Sequence, residues 1–156
     1  MGLSTASGIT ATIIVENTNT GDVYTDPNAT IYVRFDDVLR VNFKVCDNGH
    51  IYNKYKNAGY RDDQIPSSVP YRTFWEYVAG SVIVSEGYGP SGYLQQYDCV
   101  TGHVLITISQ YKNYQPSQIY FEFDLQYPPG STWNGVVVYT GQLALMTTPR
   151  FKIDDR

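Results

Sequence analysis

The chain has 156 residues, a net charge of −4 and a pI near 5.0. That length suits one domain with a real core. The charge disfavours a nucleic-acid partner, because phosphate neutralisation needs clustered Lys and Arg; no run of about 18 apolar residues is present, which excludes a membrane-spanning helix. Charged residues make up only 17 % of the chain while Tyr reaches 15, a balance expected of an extracellular or cell-surface protein rather than a cytosolic one.

Residues Gly2 to Gly8 are small and polar, so about 1–8 is expected to be a flexible arm; Met1-Gly2 reads as an initiator placed on a mature chain whose signal peptide is gone. The first strand is expected over Thr10–Glu16, with Ile9, Ala11, Ile13 and Val15 along one face. Turn signals follow at Asn19-Thr20-Gly21-Asp22 and Asp26-Pro27-Asn28. Residues 31–35 alternate, with Ile31, Val33 and Phe35 pointing one way, and residues 39–45 do so through Leu39, Val41, Phe43 and Val45. From Asp47 to Tyr71 regularity is lost. Tyr52, Tyr55, Tyr60 and Tyr71 make this a surface elaboration with a binding role rather than a disordered stretch.

Further strands are expected at Phe74–Ser85, Tyr93–Tyr97, His103–Tyr111, 119–127 (Ile119, Phe121, Phe123, Leu125 and Tyr127 inward) and Val136–Met146, the last broken at Thr140-Gly141. No helical periodicity is sustained anywhere. The fold class is therefore all-β, a β-sandwich or jelly roll of about 8–9 antiparallel strands with one long Tyr-rich loop excursion, in a single domain over residues 1–156.

Catalytic patterns are weak, and the chain is expected not to be an enzyme. Gly87-Tyr88-Gly89-Pro90-Ser91-Gly92 matches a dinucleotide fingerprint in letters only: no helix of useful length follows, so it reads as a turn between strands. Cys46 and His50 are four apart, but a nucleophile needs a base held against it, and a turn histidine is the expected state. Glu122 and Asp124 lie on the outward side of their strand and are expected to be solvated. Cys46 and Cys99 either form a disulfide, which fits an oxidising compartment, or remain two buried thiols. Asn28-Ala29-Thr30 is a glycosylation tripeptide of little weight.

Calcium takes roughly six to eight oxygen ligands, mostly from loops. Asp22, Asp26, Asp36, Asp37, Asp62 and Asp63 sit in such places and are the candidate ligands, with Asp36-Asp37 the most suggestive pair. No contiguous calcium loop occurs, so a site would be assembled from separate loops or across two subunits.

The stretch ITATIIVENTNTGDVYTDPNATIYVRFDDVLRVNFKVCDNG, Ile9 to Gly49, resembles the subunits of the extracellular cannulae that hyperthermophilic archaea build between cells. The resemblance is carried by ITATIIVE, GDVYTDP and FDDVLRVNFKV and covers about the first third of the chain. It implies a jelly-roll subunit exported by a signal peptide, polymerising with copies of itself into tubes or filaments by donating an N-terminal strand, with calcium at or near the contacts. The other function weighed is a calcium-dependent carbohydrate-binding module or lectin-like domain, in which aromatic side chains such as Trp75 and Trp133 stack on glycans. A viral capsid or fibre domain and a small hydrolase rank lower.

Overall fold

The structure is a computed structural model, and it describes residues 3–109, 117–126, 132–133, 136–137 and 141–153. In chain order the elements are β1 (Leu3–Thr5), β2 (Ile9–Asn17), β3 (Val23–Tyr24), β4 (Thr30–Val33), β5 (Val38–Asp47), helix α1 (His50–Asn57), a 3-10 turn (Asp62–Gln64), β6 (Ser68–Ala79), β7 (Val82–Tyr88), β8 (Gly92–Gln95), β9 (Cys99–Thr107), β10 (Ser117–Leu125), β11 (Thr132–Trp133), β12 (Val136–Val137), β13 (Gly141–Thr147) and β14 (Arg150–Ile153).

The chain folds as an all-β sandwich. One sheet runs β3-β2-β5-β9; the larger runs β1-β13-β10-β14-β4, with β6 alongside β10 and carrying β7 and β8 on its far side. Among the described residues all pairings are antiparallel except β14 with β4, where Phe151 lies beside Ile31 in parallel register. Among the described residues, β11 and β12 pair only with each other.

The period-two pattern decides which residues meet between the layers. Along β5 the inward set Leu39, Val41, Phe43 and Val45 is buried, and along β10 so are Ile119, Phe121, Phe123 and Leu125. Phe43 reaches across the sandwich to stack on Phe121, with ring centroids 5.0 Å apart, and touches Phe123 at 6.2 Å. Tyr71 of β6 extends the column by stacking on Phe123 at 4.7 Å. Gly102 of β9 lies directly opposite Phe43, and a Cβ there would stand 2.7 Å from the Phe43 ring. The inward Phe43 ring is thus seated over a residue with no side chain.

Several expectations change. A helix, α1, exists where none was expected. Eight residues with only Ile51 and Tyr55 buried are too short to develop a visible apolar stripe. The stretch from Asp47 to Tyr71 is consequently not one irregular loop: it holds α1, the 3-10 turn and the start of β6. Phe74–Ser85 is not one strand but the β6–β7 hairpin, turning at Gly80, which has a φ of 60°. Phe35 lies beyond β4 and is 40 % exposed. Tyr111 and Tyr127 lie outside the described residues.

Replacing Gly102 by Ala is expected to lower stability by about 1–3 kcal/mol, because the added methyl drives the Phe43 ring off its stack. Thermal and denaturant melts of Gly102→Ala beside Thr101→Ala, a change on the outward face of the same strand, check this.

Candidate functional site

The acidic loops are taken first, because they were expected to hold a metal. Asp36 and Asp37 form a tight turn rather than a ligand pair. Asp36 takes a left-handed φ of 71°, a region that Asp tolerates better than most residues. Asp37 is buried and spends its side chain on the fold: Oδ2 accepts the Arg34 N–H and the Asn17 amide, each at 2.9 Å. The main chain closes the turn from Asp37 N–H to the Arg34 carbonyl and ties it to Ile108 in both directions.

Asp22 comes to the same end of the sandwich. Its carboxylate accepts the Thr20 hydroxyl at 3.0 Å, and with Asn19, Thr20, Tyr32, Arg34 and Asp37 it lines an open cavity of about 420 Å³. Tyr24 registers both carboxylates: burial first, then Asp22 and Asp37, raise its hydroxyl above the ordinary tyrosine range. Asp26 accepts the Asn28 N–H in its own turn. Asp62 accepts from Lys56 Nζ at 2.9 Å and from the Tyr52 hydroxyl at 3.0 Å, and these bonds hold its carboxyl below the usual range. Asp63 pairs with Arg61 at 3.2 Å.

Of the six candidate ligands, then, the fold brings Asp22 and Asp37 to one cavity. Asp26 caps its own turn, and Asp62 and Asp63 each face a cation. No group of three or more His, Cys, Asp or Glu side chains that could hold a metal stands among the described residues. With Arg34 on the wall and one Asp37 oxygen already taken, this cavity does not by itself fit calcium's appetite for roughly six to eight oxygens.

The expected assembly strand is β2. Ile9, Ala11 and Val15 are buried and Ile13 packs against them, all within the molecule's own core between β3 and β5. The arm ahead of it is not loose over its described length: Leu3–Thr5 pairs with Met146–Ala144 of β13.

Cys46 and Cys99 face each other in register and are joined by a disulfide, so Cys46 is no free thiol beside His50. Next to it lies a residue of the Asp47-Asn48-Gly49 turn, an acidic loop position whose role in the fold the sequence did not reveal. Asp47, 1 % exposed, accepts the Ile51 N–H at the start of α1 at 3.0 Å and the Tyr97 N–H at 2.8 Å. It holds the helix and the β8–β9 turn together, and Tyr97 sits there at a φ of 59° while 66 % exposed. A buried Asp just ahead of a short helix is a capping signal, visible only once the helix is known.

Two surfaces stand out geometrically. The first is the far side of β9: among the described residues this strand pairs with β5 alone, and its own nine residues contain no Pro, Lys, Arg, Asp or Glu. The second is the outer face of the large sheet. There Tyr88 and Tyr93 are 71 % and 65 % exposed, opposite Phe74 and Pro70, with Arg72 between those two on β6 and its guanidinium over the Tyr88 ring. Trp75 points the other way, over Gly87 and against the core, and is no sugar platform; the side chain of Trp133 lies outside the described residues. No protein-family model matches this sequence, and no curated protein does.

Asp37→Ala is expected to cost about 2–3 kcal/mol with or without calcium, since it strands the Arg34 N–H and the Asn17 amide. Asp62→Ala, which removes only an exposed pair, is expected to leave the melting temperature unchanged. Melts of both variants in chelator and in millimolar calcium check this; a penalty for Asp37→Ala seen only in calcium would instead make it a ligand.

Proposed function

We propose that the protein is an extracellular structural subunit that assembles with copies of itself into filaments or tubes, as the resemblance to cannula subunits implies. The observation that supports this best is the β9 edge. An open edge strand is a template for another chain, and monomeric proteins guard such edges with charge, Pro or a bulge. β9 has none of the first two, runs in unbroken register along β5 from Cys99 to Thr107, and leaves Leu105 55 % exposed.

A strand laid against β9 would satisfy a row of open N–H and C=O groups and extend the four-stranded sheet. The natural donor is the N-terminal arm. β1 covers only three residues of β13, so exchanging it between neighbours gives up little in the monomer. The disulfide agrees with an oxidising compartment. Calcium enters this proposal as an intersubunit ion, with Asp22 supplying part of a ligand set that a neighbouring copy completes.

Purified protein is expected to form filaments or tubes visible by negative-stain microscopy, more readily with millimolar calcium. Leu105→Lys, which places a charge on the open edge, is expected to keep the monomer folded and abolish them. Deleting residues 1–8 is expected to do the same while sparing the core strand β2. Monodisperse particles under every condition would refute the proposal.

A glycan-binding role is a second reading, favoured by the exposed Tyr88 and Tyr93 flanking Arg72 on one sheet face. Rings of this kind stack on sugar faces, and a guanidinium supplies hydrogen bonds to hydroxyls. A glycan array is expected to return ligands that Tyr88→Ala with Tyr93→Ala loses at least tenfold; an array without ligands removes this reading.

A further inference from the structure

Tyr97 is held in a conformation that does not suit it. A residue as bulky as tyrosine seldom takes a left-handed backbone, yet Tyr97 has a φ of 59° in the turn between β8 and β9. Its ring does not fill the core, since the residue is 66 % exposed. The conformation is pinned by the main chain: its N–H donates to Asp47 Oδ2 at 2.8 Å, and Asp47 Oδ1 accepts the Ile51 N–H of α1 at 3.0 Å. One buried carboxylate therefore fixes an outward aromatic ring relative to the helix. Strain of this kind persists where the surrounding structure enforces it, and it gathers at ligand sites.

The ring comes down beside the start of α1. A Cβ built on Gly49 would stand 3.7 Å from Tyr97 Cε1, 3.9 Å from the Tyr97 hydroxyl and 3.9 Å from the Asn53 amide nitrogen, so ring and amide converge on one point. Asn53 is also a wall of an open cavity of about 280 Å³, whose other lining residues are Ser7, His50, Lys54 and Asn57. Four of the five belong to α1 and recur at spacings of three and four, which places them on one helix face. The fifth is anchored to that face, because His50 Nδ1 donates to the Ser7 carbonyl at 2.8 Å. The lining residues carry amides, a hydroxyl, an imidazole and an ammonium, and among the described residues none of them is acidic.

We propose that this cavity, with Tyr97 at its edge, binds a glycan through a sugar that carries a carboxylate. The face of a sugar ring presents C–H groups that pack on an aromatic ring, and Tyr97 offers one whose position is set before the ligand arrives. Sugar hydroxyls both donate and accept, and the amides of Asn53 and Asn57 do the same. Lys54 supplies the point charge that a carboxylate needs. The cavity lies at the small end of ligand sites, about 300 Å³, which suits one sugar ring inside and its neighbour on Tyr97. The site is separate from the Tyr88 and Tyr93 face of the large sheet and does not depend on assembly. It gives the stretch after Asp47 a binding role through Asn53, Lys54 and Asn57 rather than through its tyrosines, of which Tyr55 is buried and Tyr52 is bonded to Asp62.

A glycan array of neutral and uronic-acid oligosaccharides, probed with the full chain, is expected to return acidic glycans in preference to neutral ones. Calorimetric titration with the tightest of them then compares variants. Tyr97→Gly relieves the backbone while removing the ring, and is expected to weaken binding at least about tenfold without lowering the melting temperature; Tyr97→Phe is expected to stay within about threefold of the wild type. Lys54→Gln is expected to lose at least about tenfold as well. Tyr88→Ala with Tyr93→Ala is expected to bind as the wild type does. An array showing no preference for acidic glycans overturns the proposal. So does full affinity in Tyr97→Gly or in Lys54→Gln, and so does a loss confined to the Tyr88 and Tyr93 variant. Should Tyr97→Gly melt lower than the wild type, Lys54→Gln decides.

Discussion

Everything else in the molecule hangs on the aromatic column that joins the two layers. Phe43 is the ring that β5 sends across, Phe121 and Phe123 are the rings it meets, and Tyr71 continues the column from Phe123. Offset stacking of this kind adds about 0.5–1.5 kcal/mol per pair beyond the area it buries. More importantly, it sets the register of the layers. A slip of one residue in β5 or β10 would turn these rings outward and bring Lys44 or Glu122 into the core. Gly102 belongs to the same device, since the ring needs the space that its missing side chain leaves.

Around that column the polar groups divide by burial. Asp37 and Asp47 are buried, and their oxygens accept hydrogen bonds from main-chain N–H groups; they hold the turns at opposite ends of β5. Asp62 and Asp63 are exposed and engage cations across short spacings, where water screens the gain. Asp124 is the exception, a buried carboxyl with one oxygen that no hydrogen bond satisfies. Buried polar groups without partners are rare enough that each asks for a cause.

The strands were legible because their alternation is strict. Residues 39–45 and 119–125 bury one set and turn the other outward, as their letters say. The parts that were not legible share a physical reason: they depend on partners distant in the chain. Helix α1 is held by Asp47 and by the burial of Ile51 and Tyr55 rather than by its own periodicity. The acidic loops advertised a metal because Asp is common both in turns and in ligand sets, and only the hydrogen bonds of Asp37 and Asp26 separate the two uses. The burial of Asp124 could not be read from a strand whose outward positions otherwise alternate correctly.

The parallel pairing of β14 with β4 bears on how the chain reaches this state in time. It joins Thr30 to Arg150 and Val33 to Ile153, contacts that span most of the sequence. Such contacts form late and slowly, because a long stretch of chain must be ordered before they return any energy. During synthesis the four-stranded sheet can be completed once residue 107 has emerged. The larger sheet must wait for β14, Arg150–Ile153, and until then its strands keep edges with which a neighbouring chain can pair. A nascent population of this protein therefore passes through a period in which pairing within a molecule and pairing between molecules compete on nearly equal terms.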